Sequence, residues 1–599
     1  MNIYDKLQEI IEVKKYRLSA SLFSDEHKQA LDTETDKDIF DLLKNISSLA
    51  MKVSDNGVEF CPYLIMDGKR TFAIEDLSED YYTLLSSLDL SKIPLNLKAR
   101  ISDILWTQKK DFKCAVLAAE TYFDLYDLWF SDNDWLEPLD MIKRAICISA
   151  QINKKDLYEK CCQSIYNHIT RIDGTDKDFL SISLIEILLV QSSGDLNKIV
   201  DILDKIISLN ANNPNKTEHA YSLKSQCFYK LKKPDLAKQS NIDMADYFAN
   251  YAEYILKNDA QGALRAQLFF NKAIFAYRNN GEPQKAESTH KRLVEVQKGI
   301  LDLMQPITFE YDGKKIIDNI TQNMENLSFE ESIIRLTQMI SFYKKDEYQK
   351  KVLDEIKEHP ISHLFTSAVI NGDGQTVLSL PGLEISDPEK DQALLDLHIH
   401  RKMLEFQRIS GNMYLNPAFS YVSSHYNVDN ENLDFLIKDN FIIPVGRENV
   451  IRSAIIMVLK GHYYEALHIM APQAENIFRN IAKEVGGLTV TLETDGTSKE
   501  KVLSSIFDLT ELKDCYDNDI LFLFKGLLNE QAGANIRNEI AHGIMNEYSA
   551  NSGACLYFIC AFLKLLVSSS RKCIEIFKSK PELQTFINPE NVIVKHSKE

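Results

Sequence analysis

Hydrophobic residues between Lys98 and Gly299 recur every three or four positions, in runs separated by short polar breaks. This spacing predicts amphipathic helices. The helices come in pairs of roughly 30 to 40 residues, as in tetratricopeptide-like repeats, where each pair buries its hydrophobic face against its neighbours. We therefore predict a mainly α protein with an α-solenoid over residues 96–300. Its concave surface would be open to a protein partner; the alternative is a purely structural helical layer.

The remainder of the chain divides into three regions. Residues 1–95 mix helical spacing with one hairpin, whose turn is Asp67-Gly68. Residues 301–440 are less regular, with a second hairpin around the Asn-Gly-Asp-Gly turn that starts at Asn371. Residues 441–599 are helical again and predict a bundle of four or five helices.

Composition narrows the class of protein. A chain of 599 residues, 45% hydrophobic and 26% charged, is globular and has more than one core. The net charge is −18, of which −16 falls in residues 1–440, so a surface that grips nucleic acid all over is excluded and a protein partner is favoured there. The basic stretch RKCIEIFKSK, from Arg571, is the best candidate for a local basic surface, although charge alone favours a solvated C-terminal helix face.

We expect neither a cofactor, a metal nor a membrane span. The longest apolar run is too short to cross a membrane and contains Lys564. The N-terminus alternates charged and apolar residues, unlike a signal peptide, which predicts a cytoplasmic protein. The ten cysteines form no C-x-x-C pair, and histidines such as His398 and His400 lack further ligands at metal-binding spacing.

The stretch NIRNEIAHG, from Asn535 to Gly543, combines an arginine and a histidine in a short predicted helix. Gly543 can end this helix in the left-handed conformation, which places His542 in the last turn. Asn535, Asn538 and His542 share one face, because they are three and four residues apart. Arg537 lies about 140° from His542 around an ideal helix. The two meet only if the helix is distorted, the arginine packs inward, or a second copy of the chain completes the site.

These residue types suit metal-free cleavage of RNA. The 2′-hydroxyl needs a base, the leaving oxygen needs an acid, and the phosphorane needs positive charge. Histidine titrates near neutral pH, and the planar arginine cation binds phosphate oxygens. The structural alternative is that Arg537 pairs with a buried carboxylate such as Glu475, while His542 caps helix carbonyls. Glu475 and Arg479, four residues apart, also make an ordinary ion pair within one helix.

The pattern R-N-x-x-A-H-G resembles the R-x(4–6)-H signature of HEPN domains, helical modules of many prokaryotic ribonucleases. The stretches LKARISDILW, GHYYEALHIMAPQAENIFR and GANIRNEIAHG look like the bacterial domain of unknown function 4209. The resemblance implies a HEPN-like bundle in residues 441–599 that works without a metal, as a homodimer whose copies share one cleft. It implies Arg537 and His542 as the catalytic pair. The supporting residues would be Asn538, Glu475, Asn535 and Arg479.

The expected function is a metal-independent endoribonuclease effector, in anti-phage defence or as a toxin, with RNA as its substrate. The helical repeats would hold the nuclease inactive or sense a protein partner. One alternative is a non-catalytic scaffold or sensor, whose repeats bind a protein and whose C-terminal bundle only dimerises. Another is a bundle that binds RNA or a nucleotide without cutting it.

Overall fold

The protein is mainly α-helical, as predicted, with 69% of residues in helices and only small antiparallel strand pairs. The computed structural model describes residues 1–11, 18–54, 57–66, 69–304, 313–342, 344–580 and 583. The chain forms two compact units, Met1–Ile300 and Leu301–Glu599. Short 3-10 helices occupy Ala20–Leu22, Ile74–Asp76, Leu90–Lys92, Leu301–Leu303 and Glu431–Leu433.

The first unit begins with short helices and two hairpins. The helices are α1 (Ile3–Ile10), α2 (Asp25–Gln29), α3 (Glu34–Ser47) and α4 (Glu79–Ser87). The strands are β1 (Ala50–Ser54), β2 (Gly57–Cys61), β3 (Ile65–Met66) and β4 (Lys69–Arg70). β3 and β4 pair on either side of the predicted turn, although Asp67 and Gly68 themselves lie outside the described residues. The β1–β2 hairpin is an element that the sequence pattern did not predict.

Five helix pairs follow, in the part of the chain where the spacing predicted helix pairs. They are α5 (Leu95–Lys109), α6 (Phe112–Trp129), α7 (Leu136–Gln151), α8 (Lys155–Ile172), α9 (Leu180–Gln191), α10 (Leu196–Leu209), α11 (Pro214–Lys230), α12 (Pro234–Asn258), α13 (Ala263–Asn279) and α14 (Pro283–Gln297). Neighbours along the chain pack on one another, as in α5·α6, α6·α7, α11·α12, α12·α13 and α13·α14. Proline opens α11, α12 and α14, where its fixed φ suits the first helical position. We call this series the repeat array.

A buried ion pair joins three helices at the start of the repeat array. Arg144 on α7 donates from Nε and Nη2 to the two carboxylate oxygens of Asp103 on α5, at 2.9 and 2.6 Å. The hydroxyl of Tyr122 on α6 donates to Asp103 Oδ2 at 3.1 Å. Alanines at positions 115, 118 and 119 on α6 are fully buried, so the helices approach closely around the pair.

The second unit opens with helices around one hairpin. The helices are α15 (Gly313–Met324), α16 (Phe329–Thr337), α17 (Lys345–Glu358), α18 (Pro360–Leu364), α19 (Gln392–Ser410), α20 (Asn416–His425) and α21 (Asp434–Ile437). Strands β5 (Ser367–Ile370) and β6 (Thr376–Leu380) form the hairpin predicted at Asn371. A π-helical turn, Gly411–Leu415, joins α19 to α20, and within it the Asn416 N–H donates to the Gly411 carbonyl.

The last part of the chain contains more elements than the predicted four or five helices. The helices are α22 (Glu448–Leu459), α23 (Tyr463–Glu484), α24 (Leu503–Phe507), α25 (Thr510–Cys515), α26 (Asn518–Leu528), α27 (Ile536–Ala541), α28 (Glu547–Ala550), α29 (Gly553–Ser569) and α30 (Arg571–Ser579). Strands β7 (Val490–Leu492) and β8 (Ser498–Glu500) form a further hairpin. The additional short helices and this exposed hairpin lie in segments that the hydrophobic pattern did not predict as helices or strands.

Helix α29 lies at the centre of the second unit. Its residues from Gly553 to Leu563 are all buried, and it packs against α16, α19 and α23. One hydrophobic core therefore runs from Ile316 to Leu583, and residue 440 does not separate two cores. Among the described helices, none is long and apolar enough to cross a membrane.

Candidate functional site

The motif NIRNEIAHG forms the short helix α27 and its two ends. Asn535, just before the helix, has a left-handed backbone with φ of 52°, and Gly543, just after it, has φ of 67°. His542 is the C-terminal cap, and its backbone N–H donates to the Asn538 carbonyl at 3.0 Å. The predicted helix and its glycine end are therefore present.

Arg537 is held by a carboxylate from another helix. Its Nε donates to Glu475 Oε2 on α23 at 2.9 Å, and its Nη1 donates to Asn538 Oδ1 at 3.2 Å. Glu475 Oε1 accepts a bond of 2.8 Å from Arg479 Nη2. The Glu475 side chain is 16% exposed and the Arg537 side chain 36%. Glu475 thus lies between two guanidinium groups, and the arginine–carboxylate pairing named as the structural alternative is what the fold contains.

Arg479 extends this network to the β7–β8 hairpin. Its Nη1 donates to Glu500 Oε2 at 2.8 Å, and its Nη2 donates to the Lys501 carbonyl at 2.8 Å. Its side chain is largely buried, so these bonds are poorly screened by water. The network joins α23, α27 and the hairpin, which is a structural role for Arg479 and Glu475.

The two asparagines fix the start of α27. Asn538 Nδ2 donates to Asn535 Oδ1 at 2.8 Å and to the Asn529 carbonyl at 3.3 Å, just after α26. Gly533, between α26 and α27, approaches Gly526 so closely that a Cβ on it would stand 2.1 Å from the Gly526 carbonyl oxygen. Close backbone contact and side-chain amides together set the position of the motif.

His542 is exposed and separate from that network. Within the described chain its imidazole makes no hydrogen bond to Arg537, Asn538 or Glu475. Ile544 and Tyr548, which follow it, are also exposed. One chain therefore brings together Arg537 and its four supporting residues but does not join the histidine to the arginine. Within one copy, no hydrogen bond links the candidate acid–base group to the candidate phosphate-binding cation.

The histidines first considered as metal ligands have packing roles. His400 is buried and stacks on Phe522, with ring centroids 3.9 Å apart, and desolvation lowers its pKa to about 3. The Nε2 atom of His398 lies 2.9 Å from the Pro381 carbonyl oxygen. In the ranges covered by the structure, no group of three or more His, Cys, Asp and Glu side chains is placed to hold a metal ion.

A second candidate site, which the sequence did not single out, is a cleft on the repeat array. Residues of α11, α12 and α13 line an open depression of about 540 Å³. Six of the lining residues carry its chemistry: Tyr229, Asn241, Met244, Phe248, Phe275 and Asn279. Tyr229 and Phe275 are 58% and 61% exposed, while Phe248 is buried. We call this site the array cleft.

Polar contacts fix the walls of the array cleft. Lys272 on α13 is paired with Glu218 on α11, and its ammonium lies 5.2 Å from the centre of the Phe248 ring. Asn241 Nδ2 donates to Asn280 Oδ1 at 3.4 Å, which links α12 to the end of α13. The hydrophobic spacing gave no signal for this site, because it does not distinguish an exposed ring from a buried one.

Comparison with known proteins gives a partial match. Residues 2–160, from the residue before α1 into α8, match a family described as a domain of unknown function, DUF7380. No curated protein and no solved structure matches the chain.

The expected membership of the domain of unknown function 4209, with a C-terminal HEPN domain, is therefore wrong. The family found is a different one, and nothing found indicates a HEPN domain. The physical reason is that an arginine and a histidine at a fixed spacing also arise where helices simply pack. Here the pairing with Glu475 accounts for Arg537.

Proposed function

We propose that this protein is a binding scaffold whose repeat array recognises a protein partner through the array cleft. The observation that supports this proposal is the pair of exposed rings, Tyr229 and Phe275, on one concave site. Large exposed aromatic side chains beside a cavity favour a protein contact, because covering them removes apolar surface from water.

The chemistry of the cleft suits binding. Its wall combines rings, a thioether and amides with one ion pair, Lys272–Glu218, whose charges compensate each other. Amides and rings orient a partner and bury its apolar groups. The strongly acidic first 440 residues also favour a protein over nucleic acid as the main partner.

The test is a comparison of interaction partners. The double variant Tyr229→Ser, Phe275→Ser is expected to lose a partner that the wild-type chain retains after crosslinking in its own cells, and to lose affinity for that partner in calorimetry after purification. Leu209→Ser is the matched control, because Leu209 is equally exposed at the end of α10. Identical partners and affinities for all three proteins would contradict the proposal.

Metal-independent RNA cleavage at α27 is the second candidate function. The observation that favours it is the exposure of His542, five residues after the partly exposed Arg537, with the exposed ring of Tyr548 nearby in sequence to stack on a base. Since no hydrogen bond joins the two side chains in one copy, we propose that a homodimer brings them together across its two-fold axis.

The experiment follows RNA integrity and growth in bacteria that express wild type, His542→Ala or Arg537→Ala, and repeats cleavage in vitro with EDTA. Cleavage lost in both variants and unaffected by EDTA is the result expected of a nuclease. His290→Ala, at an exposed histidine on α14, is the control. Light scattering shows whether the active species is a dimer. Intact RNA with every protein, including after addition of the crosslinked partner, would rule this function out.

A further inference from the structure

We infer that the array cleft takes an extended, acidic peptide segment that carries one large apolar side chain. This inference rests on the proposed function and specifies the partner of the same site. It depends on three features of the cleft: the charge of its rim, its apolar walls and its amide groups.

The rim beside the cleft is basic. Lys230 ends α11, Lys232 and Lys233 form the turn to α12, Lys238 lies on the second turn of α12, and Arg278 is in the last turn of α13. All five are exposed. Because α12 runs antiparallel to α11 and α13, these ends lie on one side of the array. They adjoin the cleft, since Tyr229 and Asn279 line it.

These charges are available to a ligand. In the described ranges, no carboxylate pairs with Lys232, Lys233, Lys238 or Arg278, and Lys230 donates to the hydroxyl of Ser192 at 2.9 Å. The Lys238 ammonium reaches the turn after α13, because a Cβ on Gly281 would stand 3.5 Å from it. Asp235 in the first turn of α12 and Glu282 just before α14 lie among these basic residues, but the five basic side chains outnumber these carboxylates. Within a chain of net charge −18 the rim is therefore a local positive surface that attracts acidic residues.

The walls of the cleft are partly apolar. Tyr229 and Phe275 stand on opposite walls, and Met244 and Phe248 of α12 lie between them. An aromatic or aliphatic residue placed there would cover both exposed rings. This supplies the apolar anchor of the segment.

The amides favour an extended backbone. Asn280 is bonded to Asn241 and to the Ala276 carbonyl, whereas the exposed Asn279 beside it lines the cleft and carries both a donor and an acceptor. An extended peptide has unpaired N–H and C=O groups that such amides can satisfy, whereas a helix has already bonded its own. We therefore assign an extended segment to the cleft.

The experiment selects ligands for the purified full-length protein from a random peptide library displayed on phage. The expected result is enrichment of sequences that combine Asp or Glu with one aromatic or aliphatic residue. The enrichment should be lost with Tyr229→Ser, Phe275→Ser. With Lys232→Glu, Lys233→Glu the preference for acidic residues should disappear, while Lys155→Glu, Lys177→Glu is the control with the same change of charge.

Binding of an enriched peptide, measured by fluorescence anisotropy, should weaken about tenfold or more with Lys232→Glu, Lys233→Glu and should fall with added salt. Peptides that depend on Phe275 but show no acidic preference would overturn this inference and leave the proposed function intact. Absence of any peptide that depends on the cleft would overturn the inference, and the partner comparison above then decides the function separately. A single-stranded RNA that competes through Lys232 and Lys233 would overturn it in favour of a nucleic-acid site.

Discussion

At the scale of single residues, Asp103 and Arg144 form the most buried ion pair among the residues that the structure describes, with side chains 0% and 1% exposed. Asp103→Ala leaves the guanidinium charge buried without its partner. We expect the free energy of unfolding to fall by about 3–5 kcal/mol, as for other broken buried ion pairs. Denaturant unfolding followed by circular dichroism measures it.

The matched control is the exposed pair Arg171–Asp132, whose side chains are 54% and 50% exposed. Asp132→Ala is expected to change the free energy of unfolding by no more than about 1 kcal/mol, because water screens the charges. Equal losses in the two variants would show that burial does not control the strength of the Asp103–Arg144 pair.

His400 gives a pH dependence. Its pKa falls from the ordinary 6.5 to about 3 because burial disfavours the charged ring. Between pH 6.5 and about 3, His400 is therefore protonated in the unfolded chain but neutral in the folded chain. The contribution of the neutral ring to the free energy of unfolding is fully present above pH 6.5. It is lost as pH falls towards 3, by up to about 1.4 kcal/mol per pH unit.

His400→Leu removes this titration, so the variant should lose less stability than wild type between pH 6.5 and 4. Thermal unfolding across that range measures the difference. His290→Leu, at an exposed position, should keep the wild-type slope. Parallel curves for wild type and His400→Leu would contradict the prediction.

The residue scale also shows what a sequence can and cannot predict about a site. Helical spacing was enough to predict that Asn535 and Asn538 share one face, because the two residues are within one helical turn of each other. Arg537 and Glu475 are 62 residues apart in the sequence, and their pairing was only one of two interpretations of the motif. The exposure of Tyr229 and Phe275 was not predicted, because it depends on how neighbouring repeats stack and leave a cleft.

At the scale of elements, two helices meet at a pair of glycines. A Cβ on Gly411 would stand 1.9 Å from the carbonyl oxygen of Gly553, the first residue of α29. Gly411→Ala must separate the π-helical turn from α29 and is expected to cost about 1–3 kcal/mol of stability or more. The midpoint of denaturant unfolding reports it.

Gly372→Ala is the control for this substitution, because a Cβ at Gly372 meets nothing within 4 Å. It should leave the unfolding midpoint almost unchanged. A similarly small effect of Gly411→Ala would mean that α29 moves aside easily, which the dense burial around it argues against.

Elements with a strong hydrophobic period were predicted well, and exposed ones were not. The five helix pairs of the repeat array each bury one face, and that face is visible as a spacing of three and four. The β7–β8 hairpin is exposed at every position, so its sequence carries no alternation between a buried and a solvent face. Its position depends on Arg479, through bonds to Glu500 and Lys501.

At the scale of the whole molecule, the two units have separate hydrophobic cores. The clusters of the first unit lie between Ile3 and Leu293, and that of the second between Ile316 and Leu583. Residues 1–300 and 301–599, expressed separately, are each expected to fold and to unfold cooperatively. Circular dichroism and calorimetry of the two fragments test this. A fragment that stays unfolded would show that its core needs the other unit.

The single core of the second unit could not be predicted from the sequence. Repeats are recognisable locally, so the helices of the array followed from spacing alone. The middle segment and the C-terminal helices differ in pattern, yet α19 and α29 pack together in one core. That contact joins residues far apart in the chain, and the hydrophobic spacing within each helix does not show which distant helix it packs against.

The π-helical turn Gly411–Leu415 has a consequence for tracing ancestry. A hydrogen bond from Asn416 back to Gly411 closes one residue more than an α-helical bond does, so this turn has the form of a single-residue insertion. The π-helical turn absorbs this residue, so α20 keeps the phase that a regular α-helix one residue shorter would give it; an insertion that stayed α-helical would rotate α20 by about 100°. Homologues of the second unit should therefore be able to lose one residue at these five positions and keep the same face of α20 towards the core. An alignment gap of one residue here would mark lineages with a regular α-helical junction.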